Sequence, residues 1–350
     1  MTGTAASSSR AYTILMPLLL LALLAAAIVS LGLGATREAP QDVLRALGDG
    51  ARHIVTGEPY PQDGLHAIVL QLRLPRVILA ALVGICLALA GAIMQALFQN
   101  ALADPYLVGV SAGAGLGAVV AIMLGLPLAF LGIMGMPLFA FIGALGSVFL
   151  VYVLARRGGR VQTGTLLLTG IAVGSLISAV TSFLMMVMQQ DLRQVLFWLL
   201  GGLSGRGWQE VWIILPQAVV GLGLAMVMSR PLNMLLLGDE TAASLGMNIQ
   251  SSKRLLLALA SLLAAGAVAV SGIIAFVGLV VPHVTRLMVG PDHRRLLPVC
   301  AVSGALLMIL SDIAARTLLA PTELPLGIIT SALGCPFFLY LLHRQGRRGL

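Results

Sequence analysis

Residues 107 to 155 carry no charged side chain, and an uncharged run of that length admits few folds. A bilayer core of roughly 30 Å takes about 20 apolar residues per helix, so this run is too long for one crossing and about right for two. Lipid offers no hydrogen bonds, so a spanning backbone must be helical or a closed barrel. The apolar runs here far exceed the roughly ten alternating residues of a barrel strand. An all-α integral membrane protein follows. The whole chain agrees: 59% of its 350 residues are hydrophobic and 10% are charged, against about a quarter charged in a soluble domain. That is material for about ten crossings in a single transmembrane domain, residues 1–350.

The first apolar run, about Ala11 to Ala35, follows Arg10 and contains Ala25-Ala26-Ala27, which is similar to a leader cleavage site. It is longer than a leader's apolar segment, which favours an uncleaved first helix. Residues 36–66 hold Glu38, Asp42, Asp49, Glu58 and Asp63 among Arg37, Arg45 and Arg52, and read as an external loop with a short amphipathic helix. The second helix is expected from Leu74 to Phe98, before a polar break closed by Asp104-Pro105. The uncharged run then divides at Gly125-Leu126-Pro127. Further helices are expected over 165–188 and 211–228, with residues 189–209 at the surface or re-entering. No charge occurs between Arg254 and Arg286, too long for one crossing and short for two, so a break at Ser271-Gly272 and a short second helix are expected. The last helices run over about 297–319 and 326–342.

Ten crossings put both termini on one side. Arg10, Arg156, Arg157, Arg160, Arg230, Lys253, Arg254, Arg286, Arg294, Arg295, Arg344, Arg347 and Arg348 fall there, thirteen of the 21 basic residues, with eight opposite. The positive-inside rule makes that side cytoplasmic, in a multi-pass protein of the inner membrane. The net charge of +8 reflects these flanking arginines, not a nucleic-acid surface. Small residues let helices approach closely in lipid. Gly109, Gly113, Gly117 and Ala121 recur every four residues as one such face, and Gly84, Ala88 and Ala92 form another. Cys86, Cys300 and Cys335 lie in apolar runs without ligand spacing and read as packing residues.

Leu72-Arg73-Leu74-Pro75-Arg76 sits at the outer start of the second helix, where Pro75 suits the first turn and holds Leu74 extended, presenting Arg73 and Arg76 at the rim. Headgroup snorkelling is the plain alternative. Arg316 is a third outer arginine, with Asp312 four residues before it as an i,i+4 partner. On the other side, Leu237 to Gly246 reads as a short helix. Asp239 and Glu240 suit its positive N-terminal end, Gly246 suits a left-handed stop, and Ala242 with Leu245 form a small apolar face. Such a knob suits a groove in another protein, and a mere loop helix is the alternative. There is no phosphate loop, since the only lysine, Lys253, follows Ser251-Ser252. His283 and His293 lack zinc spacing, and neither a metal site nor a catalytic cluster is expected.

Six ordered motifs resemble the FecCD-type permeases of bacterial ABC importers, which include vitamin B12, haem and iron-siderophore permeases. They are Arg73-Leu74-Pro75-Arg76, Gly91-Ala92-Ile93-Met94-Gln95, Asp104-Pro105 through Gly109-Val110-Ser111, Gly238-Asp239-Glu240 through Leu245-Gly246, Gly278 to His283, and Glu323 to Gly327. The resemblance implies ten helices in two inverted repeats, a vitamin B12 permease-like fold, and a type II importer bringing an iron chelate, haem or cobalamin into the cytoplasm. It also implies a second copy of the chain, two cytoplasmic ATPase subunits that hold ATP and magnesium, and a periplasmic binding protein. Arg73, Arg76 and Arg316 would dock that protein. Residues 230–252 would form the coupling region, with Gly238, Asp239, Glu240, Ala242, Leu245 and Gly246 meeting the ATPase. Asn100 and Leu102 would form the inner gate, with Ala101 where the family usually has proline. Thr181, Ser182, Met185 and Met186 are candidates for lining the outer path, or for packing. Membrane lipid is the remaining partner, and no cofactor is expected on this chain. An ion-coupled secondary transporter is the second reading. It needs intramembrane carboxylates, and the apolar runs supply little beyond Asp312.

Lacking a phosphate loop, the purified chain alone is expected to show no ATP hydrolysis, and to show it only with a partner subunit. A phosphate-release assay on the isolated chain checks this, and turnover matching that of the complex would refute it.

Overall fold

The computed structural model describes residues 2–34, 38–57, 59, 61, 63–125, 135–157, 160–188 and 192–346. In chain order the helices are α1 (Thr2–Gly32), α2 (Pro40–Thr56), α3 (Gly64–Leu97), α4 (Val110–Met123), α5 (Gly135–Ala155), α6 (Thr163–Val187), α7 (Leu192–Leu199) and α8 (Trp208–Val227). They continue with α9 (Ser229–Leu235), α10 (Asp239–Ser244), α11 (Ile249–Ser271), α12 (Val277–Val289), α13 (His293–Thr317) and α14 (Leu326–Gly346). Seven of these are long and apolar enough to cross a membrane: α1, α3, α5, α6, α8, α11 and α13. α4, α12 and α14 are shorter apolar helices, so the ten expected segments are all present. A two-residue ladder, β1 (Arg156–Arg157) with β2 (Arg160–Val161), closes the connection after α5. Of the expected turn at 125–127 only Gly125 is described, and Arg37, Glu58, Gln189, Gln190, Asp191, Arg347 and Arg348 lie outside the described residues.

α3 is the central helix, packed by α8, α11, α12 and α13, and 83% of its apolar window is buried. Missing side chains make that packing possible. A Cβ on Gly84 would strike the backbone of Gly304, and one on Gly304 would strike Gly84 and Ala88. Seven residues along, a Cβ on Gly91 would overlap the carbonyl of Gly278. The other small-residue face also forms, with Gly113 against Gly143 and Gly117 against Phe139 across α4 and α5.

The second helix departs from the sequence expectation. It begins at Gly64, and Ala67–Arg73 is π-helical. Leu74 is helical, with φ −60° and ψ −50°, and its N–H reaches the carbonyl of Val69 five residues back. The wide turn lets the chain enter Pro75 without breaking the helix, so Leu74 is not extended. Trp208 Nε1 donates to the carbonyl of Leu70, 3.0 Å away, within this widened stretch. The amphipathic helix expected between residues 36 and 66 is α2, which buries Val43, Ala46 and Gly50. His66, at the start of α3, contacts Asp63 at 2.7 Å and Asp49 of α2 at 3.1 Å.

The chain unwinds between α11 and α12, as expected at Ser271-Gly272. Irregular backbone is tolerated in a membrane bundle only where protein satisfies it. Here Gly202 N–H donates to the Ser271 carbonyl at 2.7 Å, and Gly327 N–H to the Leu200 carbonyl at 3.1 Å. Tyr106 hydroxyl donates to the Ile274 carbonyl at 2.9 Å. Residues 192–202 therefore pack against the unwound segment, burying Val195 and Trp198. Cys86 and Cys300 are buried, whereas Cys335 is exposed on α14 and does not pack in the core.

Gly91→Leu is expected to lower the melting temperature of the detergent-solubilised protein, because backbone cannot yield as a side chain can. Gly223→Leu, with nothing within 4 Å of its added Cβ, is the matched control and should melt near the wild type.

Candidate functional site

At the end of the bundle opposite α10, α3, α13 and the segments after α1 and α7 converge on a cavity of about 400 Å³ whose lining includes Arg73, Arg76, Arg206, Arg316 and Glu323. Asp312, fully buried on α13, is the pivot. Arg76 Nε donates to its Oδ1 at 3.0 Å. Arg316 Nε stands 3.0 Å from its Oδ2, an ion contact without hydrogen-bond alignment. Arg76 also grips Glu323 with both terminal nitrogens, at 2.9 and 3.0 Å. Ser204 donates to the same carboxylate. Burial alone would raise the Glu323 carboxyl, but the Arg76 and Ser204 hydrogen bonds outweigh it and hold it below its usual value of 4.5.

The arginines read as presented at the rim are instead turned inward. Arg73 and Arg316 are only 7% and 8% exposed. Arg73 donates to the Leu31 carbonyl at 2.7 Å. Arg316 donates to the Leu33 carbonyl at 2.6 Å, to the Ser30 carbonyl at 3.2 Å and to Ser30 Oγ at 2.6 Å. The physical reason is that a helix ends with carbonyls lacking intrahelical partners and carrying partial negative charge. The end of α1 lies against α13, and two guanidiniums satisfy it. The sequence identified the Arg316–Asp312 spacing but not Arg76 as the second partner of Asp312, nor the roles of Ser30 and Ser204.

At the basic end, α10 is the expected short helix, entered through Gly238 at φ +91° and left through Gly246 at φ +86°. Asp239 pairs with Lys253 of α11 at 2.5 Å, and Glu240 is exposed. Ala242 and Leu245 do not share an outward face: Ala242 is fully buried, while Leu245 is 59% exposed, with Leu236 and Leu237 also exposed. Nearby, Asn100 Oδ1 accepts from the Leu102 N–H at 2.9 Å, which shapes the turn after α3. Gln99, at φ +48°, donates to the carbonyl of Leu235 at 2.8 Å and ties that turn to α9, just ahead of α10. Thr181 is buried and bonds its own helix at Ile177, while Ser182 and Met186 are exposed and Met185 is half-buried on α6.

Two further polar groups escaped the sequence reading. Gln95 donates to the Leu279 carbonyl at 3.0 Å and accepts from Arg286 at 2.9 Å. Asn233 donates to Asp292 at 2.7 Å and accepts from the His293 N–H at 2.8 Å. Asp292 before a basic, apolar run was the available signal, as a helix N-cap. His283 packs edge-on against Phe337. Among the described residues no cluster of His, Cys, Asp or Glu could hold a metal ion.

Residues 20–344 match the model of the FecCD transport family. The chain is 47% identical over 283 residues to the cobalamin import system permease protein BtuC of Halobacterium salinarum, covering 81% of this chain and 75% of that one. It is 44% identical to the hemin transport system permease protein HmuU of Yersinia pestis, over 81% of this chain and 85% of that one. The vitamin B12 import system permease protein BtuC of Escherichia coli is 41% identical, over 87% and 92%. Among solved structures, an inward-facing metal-chelate type ABC transporter superposes with TM-score 0.82 at 29% identity, covering 95% of this chain and 99% of that one.

Asp312→Ala would leave the buried Arg316 without its paired carboxylate and Arg76 with Glu323 alone, and breaking a buried pair typically costs about 3–5 kcal/mol. Denaturant unfolding in detergent should register that loss. Glu323 has a lowered folded-state pKa, so its contribution is present above its unfolded value and vanishes as pH falls through the folded one. The stability gap between the wild type and Glu323→Gln is thus expected to hold from pH 8 to 6 and to shrink only once pH falls below the ordinary carboxyl value of 4.5. A gap that widens on acidification would contradict the Arg76 pairing.

Proposed function

Because the chain belongs to the FecCD transport family, it is the membrane-spanning permease subunit of a type II ABC importer, not itself an enzyme, and we propose that its cargo is a metal chelate: cobalamin, haem or an iron-siderophore. The observation that carries this reading is the family match over residues 20–344. Relatives at 41–47% identity that are named for cobalamin and haem support the cargo class. Asp312, the carboxylate that an ion-coupled carrier would need, is already held between Arg76 and Arg316.

The working complex pairs two copies of the chain with two ATPase subunits and a binding protein, in the inner membrane with both termini cytoplasmic. The ATPase meets Glu240 and the exposed Leu245, while Gly238, Asp239, Ala242 and Gly246 shape the knob behind them. ATPase movement reaches the gate turn at Asn100 and Leu102 through α9, by way of the Gln99 contact with Leu235. Thr181, Ser182, Met185 and Met186 lie along the outer path. On the outer side, acidic side chains of the binding protein approach the cavity that Arg73, Arg76 and Arg316 share. Asp312 and Glu323 already neutralise part of that charge, so docking is weaker than the count of arginines suggests and is screened by salt.

The test is ATP-driven uptake by proteoliposomes carrying the complete complex, with cobalamin, haem and a ferric siderophore in competition. One of the three is expected to be accumulated. Leu245→Glu or Glu240→Lys is expected to abolish uptake while leaving the bundle folded. Titration of the same membranes with the binding protein should show affinity falling with ionic strength. Uptake unaffected by the knob variants would remove the coupling assignment, and salt-independent docking would remove that of the arginines.

A further inference from the structure

An apolar groove of about 510 Å³ runs along the outside of the bundle between α5, α8 and α11, three helices long and apolar enough to cross a membrane. Phe149, Leu224 and Leu255 line it and are themselves exposed. Toward the basic end the groove meets a more polar recess. Tyr152, Arg254 and Leu257 line both, and the recess adds Thr163, Gln250 and Lys253. Lys253 is paired with Asp239. Arg254 forms no ion pair among the described residues, and the hydroxyls of Tyr152 and Thr163 make no hydrogen bond among them.

A guanidinium without a counter-charge at the end of an apolar membrane groove is the pattern that recognises an amphiphile with an anionic head. Basic pockets between transmembrane helices hold such headgroups, and long basic side chains lie along apolar surface with the charge at headgroup depth. We propose that this groove seats an acyl chain of one anionic phospholipid, whose phosphate meets Arg254 and accepts hydrogen bonds from Tyr152 and Thr163. A zwitterionic lipid brings its own ammonium to a site where Arg254 already stands, so the anionic class is selected. The proposal is independent of cargo and coupling.

Native mass spectrometry of the full chain, released from nanodiscs of phosphatidylcholine with phosphatidylglycerol, tests it. The wild type is expected to retain phosphatidylglycerol in preference to phosphatidylcholine. Retention should fall about fivefold in Arg254→Gln, the size expected for one basic side chain at an anionic lipid. It should fall also in Ala258→Phe, which fills the exposed wall of the groove, and stay unchanged in Arg230→Gln. Equal retention of the two lipids, or unchanged retention in both groove variants, overturns the proposal. So does displacement of phosphatidylglycerol by free glycerol phosphate at equal concentration, which would leave the groove without a chain. Cross-linking of Leu262→Cys to another protein chain would make the groove a protein seat and would equally overturn it.

Discussion

Asp312 is fully buried and sits between the guanidiniums of Arg76 and Arg316, and that end of the bundle is organised around its charge. Three elements are fixed by it. Arg76 brings α3 to α13 and, through Glu323, to the segment leading into α14. Arg316 carries the same charge to the last carbonyls of α1. Replacing such a cluster with apolar residues can be neutral, but removing a single member strands the rest. The network therefore gives orientation more than net stability. It holds α1, α3, α13 and the segment before α14 in one relative arrangement, in a medium where apolar packing alone distinguishes poorly between rotations.

Elsewhere the same scarcity of water imposes close backbone approach. Gly84 with Gly304, and Gly91 with Gly278, let α3 lie against α13 and α12 closely enough that any side chain would intrude. Where the backbone unwinds, other parts of the chain complete it: Tyr106 reaches Ile274, and the glycines at 202 and 327 reach Ser271 and Leu200. These are the interruptions that polar and glycine-rich stretches mark in the sequence. They are safe because they are enclosed by protein.

Most of the architecture was legible because hydrophobic length is counted along the chain and needs no knowledge of contacts. The ten segments, the break at Ser271-Gly272, the amphipathic α2 and the Gly246 stop of α10 all follow from local rules. What stayed hidden depends on long-range pairing. Arg76 and Asp312 are separated by 236 positions, and nothing near Arg76 says that it turns inward. Pro75 signalled a helix start, yet the π turn before it carries the helix on. Ala242 and Leu245 are three residues apart and were grouped by helical spacing, but α10 is too short for spacing to decide which residue faces its own chain.

The π stretch Ala67–Arg73 links α2 to the rim in a way that bears on how such a chain changes by insertion and deletion. In register terms a π turn is one residue added to an α-helix. Losing a residue there would restore regular winding and turn everything before it by about 100° relative to Arg76. His66 would swing away from Asp49 of α2, and Leu70 from Trp208 of α8. The first turns of α3 are therefore length-locked by contacts on two sides, to α2 and to α8.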